Sequence, residues 1–557
     1  MIARALLVFA CMAIPTTAFV GLSNPCRPAS ALGALSKKYD DCDVAIMGGG
    51  FGGLYTALAI SREAKKKGKN VDVALVDPSD RFVFLPLLYD LTMGTASEQE
   101  VCPTYQELLE GTGVRYIQAS FDGFANDPEH KATPEARLKS IAIDGEGAKD
   151  TETDIRLSFR TSVVAVGATP QSILESVPGA NEFAQPFYTK DDAYATRELL
   201  FKMEQKIRQG ETPRIAVVGG GYGGVELSAC VARRLPNACI TLLSRTKPMA
   251  GTRAEPLVGQ ALKKLGVVCE MSSIEEIRQS GDNCFTILRS GESDGDITLE
   301  DNADDLFDAV LWTAGSGPAY PVANDLGGGL AFSPSGRLRV DKTLRCSYDD
   351  DNSASSSSSL PSVWALGDCS EIVPAEDLAV PKTAQAAMQQ ADVVASNVLS
   401  VLSNREGSVG FEFQDLGSML SLGGPNAAVL GPNDGSQIAS LLVPLLNTAR
   451  VGLGVADTIF AGIVNSPQVD KSGDLAPIVE NLGLSLGGYG LGVDPQSTPG
   501  TLSGTLSGAG RRAIYALRMP TNKQRVYAGA SAVLSSAAAL AKETSDQIEK
   551  NNGEKRR

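Results

Sequence analysis

An α/β chain with two Rossmann-like dinucleotide-binding domains is predicted by two observations. First, residues 43–54 read DVAIMGGGFGGL and residues 214–228 read RIAVVGGGYGGVELS. Gly48, Gly50 and Gly53, then about 170 residues later Gly219, Gly221 and Gly224, each match G-x-G-x-x-G at the end of a short apolar strand. In such a turn the first glycine permits the tight bend, the second lets backbone approach a pyrophosphate, and the third lets helix and strand pack closely, with the helix N-terminus facing the phosphates. Second, three further apolar strands, SVVAVGATP (162–170), DAVLWTAG (308–315) and SVWALGDCS (362–370), place Gly167, Gly315 and Gly367 where backbone can lie against a bound dinucleotide. Two such sites imply two dinucleotides in one chain, and the reason to hold two is to pass electrons between them.

Taken in order, the first fingerprint is followed by a helical run from Leu54 to Ala64 and by the strand VDVALVD (71–77), which completes a βαβ unit. Asp77 ends that strand about 24 residues after Gly53, where a carboxylate can accept hydrogen bonds from ribose hydroxyls; the alternative is an acid of the turn. KKKGK (65–69) reads as a solvated helix end. Asp368, beside Gly367, lies just past its strand. The first domain is therefore expected to be discontinuous: 39–185, then 336–425, with a nucleotide domain over 186–335 between them. SASSSSS (353–359) is a polar loop. Residues 426–510 form a Gly-, Ser- and Leu-rich insertion, expected to be helical, with an interfacial or lid-like role as the alternative; 511–557 read as a C-terminal helical region.

With 50 Lys and Arg against 65 Asp and Glu, the net charge of −15 argues against nucleic acid as a partner, because phosphate affinity comes mainly from cationic surface. The 10 cysteines contain no C-x-x-C pair and His130 is the single histidine, so no metal site is expected. Residues 1–18 carry Arg4, the apolar run ALLVFACMAI and small residues at Thr16 and Ala18, the pattern of a signal peptide. Cleavage there exposes Phe19, and the following stretch has Arg27, Lys37 and Lys38 with no acid before Asp40. Residues 1–38 thus resemble the bipartite leader of a complex, secondary plastid; an ordinary secreted protein is the alternative.

Over 43–423 and 511–540 the residues resemble the type II NAD(P)H:quinone oxidoreductases, two-dinucleotide flavoproteins of the pyridine nucleotide-disulfide oxidoreductase superfamily. FVFLPLLYD (82–90), with Pro86, is similar to the family's flavin-adjacent apolar segment. TAQAAMQQAD (383–392) is similar to its A-Q-x-A-x-Q-Q motif, and FEFQDLGSMLSLG (411–423) to the segment that follows. The ending RRAIYALRMPTNKQRVYAGASAV (511–533) resembles the plastid and cyanobacterial, prenylquinone-reducing branch, although the insertion before Arg511 is longer than that branch carries.

The resemblance implies FAD on the first cradle, with Asp368 on the ribitol, and NAD(P)H on the second. It places Gln385 and Gln389 beside a prenylquinone such as plastoquinone or phylloquinone, while Gln390 suits a polar helix face. It implies peripheral attachment to a membrane or lipid body, at a plastid thylakoid or plastoglobule, with a homodimer as one expectation for the assembly. Hydride transfer from nicotinamide to flavin needs alignment rather than a side-chain acid. Glu226, in the first turn after Gly224, is the carboxylate expected near those rings, with a dipole-stabilised helix acid as the alternative. Ser244 ends the strand CITLLSR (239–245) where NADH users generally carry an acid; with Arg245 and Lys247 adjacent, the site accommodates the 2′-phosphate of NADPH. Two rival readings stay open: an NAD(P)H oxidase or diaphorase with another acceptor, and a flavin-binding scaffold without turnover.

Overall fold

The computed structural model describes residues 39–124, 134–140, 154–169, 171–281, 284–290, 306–315, 317–319, 326–327, 329–348, 362–373, 380–405, 407–423, 427–430, 491–492, 501–532 and 534. The leader, His130, the serine tract and most of the insertion lie outside these residues. The chain divides into two compact units.

Unit 1 comprises Met1–Phe82, Thr104–Gly167 and Pro318–Phe413. Its sheet is centred on the strand Tyr39–Met47, which pairs in parallel with Val73–Asp77 on one side and Asp154–Val164 on the other. Arg115–Phe124 and Val363–Ala365 extend it in parallel, and the antiparallel strand Glu135–Ser140 pairs with both Arg115–Phe124 and Asp154–Val164. The central strand is buried on both faces, with Val44, Ala45, Ile46 and Met47 all at 0% exposure, which is why it reads as a continuous apolar run and not as an alternation. Its glycine turn feeds the helix Phe51–Lys66, which packs against the helix Ala384–Leu402.

Unit 2 comprises Val83–Pro103, Ala168–Gly317 and Gln414–Arg557. Its parallel sheet runs in the order Val268–Met271, Cys239–Ser244, Arg214–Val218, Ala309–Trp312, Gln185–Pro186. The helix Tyr222–Arg234 follows the second glycine turn, and the capping box of Thr189 and Asp192 starts the helix Lys190–Arg208. A four-stranded antiparallel sheet joins Ser418–Ser421, Ala427–Leu430, Thr501–Gly504 and Leu491–Gly492, so the described part of the insertion is strand except at its end, where residues 505–510 begin a helix. The helix Thr505–Arg518 and a second helical stretch, 522–532, end the described chain. Val83–Pro103, expected within the first domain, groups with this second unit.

Candidate functional site

The first glycine turn is shaped to bring backbone to an anion. Gly48 has φ 98°, and a Cβ on it would meet the Ala165 carbonyl oxygen at 2.4 Å; one on Gly53 would meet the Gly48 oxygen at 1.8 Å. A Cβ on Gly50, the cap of the helix Phe51–Lys66, would meet nothing within 4 Å. Packing therefore demands the first and third glycines, whereas the second borders open space at a helix N-terminus, where unpaired N–H groups and the helix dipole favour a pyrophosphate.

Asp77 lies at this turn. One carboxylate oxygen accepts the Gly49 N–H at 2.6 Å and the other the Ser79 N–H at 2.8 Å. Burial outweighs both bonds and pushes the carboxyl up to about 6. Tyr105, stacked on Tyr116 with centroids 4.8 Å apart, closes in on Gly49, where a Cβ would meet its hydroxyl oxygen at 2.2 Å.

Asp368 sits in the 3-10 turn Gly367–Cys369 past the strand Val363–Ala365. Burial raises its carboxyl above the ordinary value, opposed by Lys382 and Arg337. Arg337 Nε donates to the Asp368 carbonyl at 3.0 Å and Lys382 Nζ to the Ser370 carbonyl at 2.7 Å. Cys369 is fully buried, and burial pushes its thiol up to about 11, so it stays protonated and unreactive. Gly167 has φ 71° and its carbonyl accepts the Ala319 N–H at 3.1 Å.

The motif helix departs from expectation at Gln390. This side chain is 4% exposed, and its Oε1 accepts the Gly367 N–H at 2.7 Å; it holds the turn that presents Asp368 and is not on a polar face. Gly367 has φ 76°, so its N–H points inward where a glutamine one helical turn from Ala386 and Ala387 reaches it. Gln385 and Gln389 are half-buried. Gln385 Nε2 is shielded from water and finds no hydrogen-bond partner among the described residues, as befits a donor awaiting a ligand.

The second turn repeats the first. Gly219 has φ 122° and a Cβ there would meet Thr313 Oγ1 at 2.6 Å; one on Gly224 would meet the Gly219 oxygen at 1.7 Å; one on Gly221 would meet nothing within 4 Å. Ser244 is buried beside this turn: a Cβ on Gly220 would meet its Oγ at 2.7 Å, and the hydroxyl donates to the Thr246 carbonyl. Arg245 and Lys247 are exposed, as is Gly315, with φ 68°.

Glu226 is 6% exposed and lies in a polar cluster within unit 2. Its Oε1 accepts the Ser421 N–H at 2.6 Å, and its carboxyl also meets the Tyr89 hydroxyl. Burial pushes the carboxyl up to about 7, with Arg511 and these hydrogen bonds opposing and Asp90 adding to the rise. Nearby, Arg511 donates to Asp90 at 2.7 Å and to the Pro86 carbonyl at 3.1 Å. Arg512 donates to Glu100 at 2.8 Å and to the Thr95 carbonyl at 2.8 Å, and Ser531 Oγ donates to Glu100 at 2.6 Å. Arg511, Arg512, Asp90 and Glu100 are all buried. Breaking such a pair from one side costs about 3–5 kcal/mol. Sequence reading missed this cluster because its partners lie more than 400 residues apart; the adjacent arginines Arg511 and Arg512, the only charges in their helix before Arg518, were the available signal.

Two glycine cradles, each following a strand with parallel neighbours on both sides, define a class of proteins that bind two dinucleotides. The model for pyridine nucleotide-disulphide oxidoreductases matches residues 42–391, and the chain belongs to this family, within its type II NAD(P)H:quinone oxidoreductase group. It is 33% identical over 402 residues to the alternative NAD(P)H-ubiquinone oxidoreductase C1, chloroplastic/mitochondrial, of Arabidopsis thaliana, covering 69% of this chain and 72% of that one. It is 32% identical over 392 residues to the demethylphylloquinone reductase NdbB of Synechocystis, covering 70% and 86%. The structure of NDH2 from Plasmodium falciparum superposes with a TM-score of 0.54 at 16% identity, covering 73% of this chain and 94% of that one, a likeness of fold.

Proposed function

We propose that the chain is an FAD-dependent, non-electrogenic NAD(P)H:quinone oxidoreductase that takes hydride from NAD(P)H and reduces a prenylquinone of the plastoquinone or phylloquinone type. The observation that carries this reading is the pair of glycine cradles, each with two glycines enforced by packing and a third facing open space. Bound FAD would supply a two-electron carrier between nicotinamide and quinone.

Gly48, Gly50 and Gly53 would hold its pyrophosphate, Asp77 its ribose and Asp368 its ribitol. Gly219, Gly221 and Gly224 would hold the pyrophosphate of the nicotinamide cofactor. NADPH is the favoured donor, because Ser244 removes the repulsion of an acid and the exposed Arg245 offers a cation to the 2′-phosphate. The unpaired Nε2 of Gln385, with Gln389 four residues on, would donate to a quinone carbonyl. Glu226, poised near neutrality, would supply a proton.

Leu517 and Val526 are each 60% exposed, and Tyr527 and Leu534 are also exposed beside Lys523 and Arg525. This pattern suits the surface of a membrane or lipid body. No helix among the described residues is long and apolar enough to cross a membrane. The leader and the relatives named as chloroplastic/mitochondrial and cyanobacterial support a plastid location.

Steady-state turnover tests the reading. NADPH consumption matched one-to-one by quinol formed from a short-chain plastoquinone or phylloquinone analogue is expected. Consumption with hydrogen peroxide as the product would mark an oxidase instead, and no consumption a scaffold.

A further inference from the structure

The charges around Glu226 come from separate parts of the chain and do not balance unless Glu226 is neutral. The helix Thr505–Arg518 contributes Arg511 and Arg512; the helix Leu88–Met93 contributes Asp90, and Glu98–Val101 contributes Glu100. These four form paired ions, with Asp90 between the two guanidiniums at 2.7 and 3.7 Å. Glu226 is the fifth group of this charged cluster, on the helix Tyr222–Arg234, and its ionisation would leave one uncompensated charge in a largely buried cluster.

The other titratable groups facing it are Tyr89 from the helix Leu88–Met93, Tyr515 from the C-terminal helix and Cys230 from its own helix. Burial raises all three, Cys230 to about 12, so they stay neutral at physiological pH. The strand Ser418–Ser421 offers only the Ser421 N–H and a hydroxyl. Arg511 and Asp90 are therefore the charges that act on the Glu226 carboxyl, and they act in opposite senses.

We propose that Arg511 and Asp90 are opposed positioning residues that set when Glu226 holds and when it releases its proton, making the C-terminal helix part of the proton supply for quinone reduction. The inference rests on the reading of Glu226 as that proton's donor. In the balanced reaction NAD(P)H gives up a hydride, which carries two electrons and one proton, and the quinone takes both electrons and two protons. Glu226 provides the second proton and recovers one from water. Arg511 and Asp90 touch neither substrate; they hold each other and shape the field at the carboxyl.

The test uses the holoenzyme and the rate at which a short-chain benzoquinone reoxidises the reduced flavin absorbance, measured across pH in stopped flow. Wild type should show an inflection near about 7, lost in Glu226→Gln. Arg511→Met should move the inflection to higher pH and Asp90→Asn to lower pH, with Arg511→Lys close to wild type. A shift of one pH unit changes the protonated fraction, and so the rate on the alkaline limb, about tenfold.

A purely structural ion pair predicts that both single variants move the profile alike, because each breaks the same contact. Shifts in the same direction, or none, would overturn the inference while leaving Glu226 as donor. An inflection that persists in Glu226→Gln would overturn both. Should Arg511→Met fail to fold, the direction of the Asp90→Asn shift decides, and infrared titration of the carboxyl band absent from Glu226→Gln reads the same direction without turnover.

Discussion

Where the strand Val73–Asp77 ends in a carboxylate that takes the Gly49 N–H at 2.6 Å, the strand Cys239–Ser244 ends in a serine whose hydroxyl turns to the Thr246 carbonyl. The glycine frames are otherwise alike: Gly48 and Gly219 both have positive φ, Gly53 and Gly224 are packed against their own turns, and Gly50 and Gly221 face open space. On the proposed function the frame would provide the part common to all dinucleotides, the pyrophosphate seat. On the same proposal, the residue at the end of the second strand would distinguish them, a carboxylate reading ribose hydroxyls and a serine beside Arg245 tolerating a phosphate. Two like frames thus differ chiefly in the side chain that ends the following strand, Asp77 in one and Ser244 in the other.

The largest effect should come from breaking one frame at a time. Gly53→Ala puts a methyl 1.8 Å from the Gly48 oxygen and should yield protein purified without flavin. Gly224→Ala makes the corresponding clash at 1.7 Å and should remain yellow but be reduced by NADPH roughly 10²-fold more slowly, because misplacement by an ångström has that order of effect. Absorbance after purification and anaerobic stopped flow check the two halves. If Gly224→Ala also lost its flavin, the frames would not be independent.

Asp77 comes next. In the proposed function the ionised carboxylate would accept from ribose hydroxyls, and burial pushes the carboxyl up to about 6. FAD affinity should therefore fall as pH drops through about 6, the direction in which the acceptor becomes protonated. Asp77→Asn should be flat with pH and weaker at neutrality by about one to two powers of ten, the worth of a charge-assisted bond. Fluorescence titration of apoprotein with FAD measures both.

Ser244→Glu combined with Arg245→Ala rebuilds the first unit's chemistry in the second. The NADPH to NADH ratio of kcat/KM should fall about ten- to a hundredfold, since a charge-assisted contact contributes roughly 1.5–3 kcal/mol. An unchanged ratio would show that these residues do not read the 2′ position. The smallest effect is expected from Gln385→Leu, which should slow quinone reduction about fivefold, about 1 kcal/mol for one neutral hydrogen bond, and leave reduction by NADPH intact.

Much of the frame was legible because it is local. Gly48, Gly50 and Gly53 lie within six residues, and the apolar runs at 43–47 and 214–218 announce buried parallel strands. Asp77 and Ser244 were legible because they end the next strand, so topology fixes their place beside the turn. Gln390 was misread because A-Q-x-A-x-Q-Q does not tell which glutamine turns inward; that depends on the left-handed Gly367, 23 residues away. The cluster of Asp90, Glu100, Arg511 and Arg512 was illegible for a stronger reason. Asp90 ends the segment that resembles the flavin-adjacent run, Glu100 lies ten residues beyond it, the arginines open the ending that resembles the plastid branch, and only the fold of unit 2 brings them together.

The most direct measurement takes the purified protein through its two half-reactions under anaerobic conditions. NADPH should bleach the flavin absorbance within a single turnover, and a short-chain prenylquinone should then restore it much faster than air does. Flavin that NADPH fails to bleach, or reduced flavin that oxygen reoxidises faster than any prenylquinone, would contradict the account.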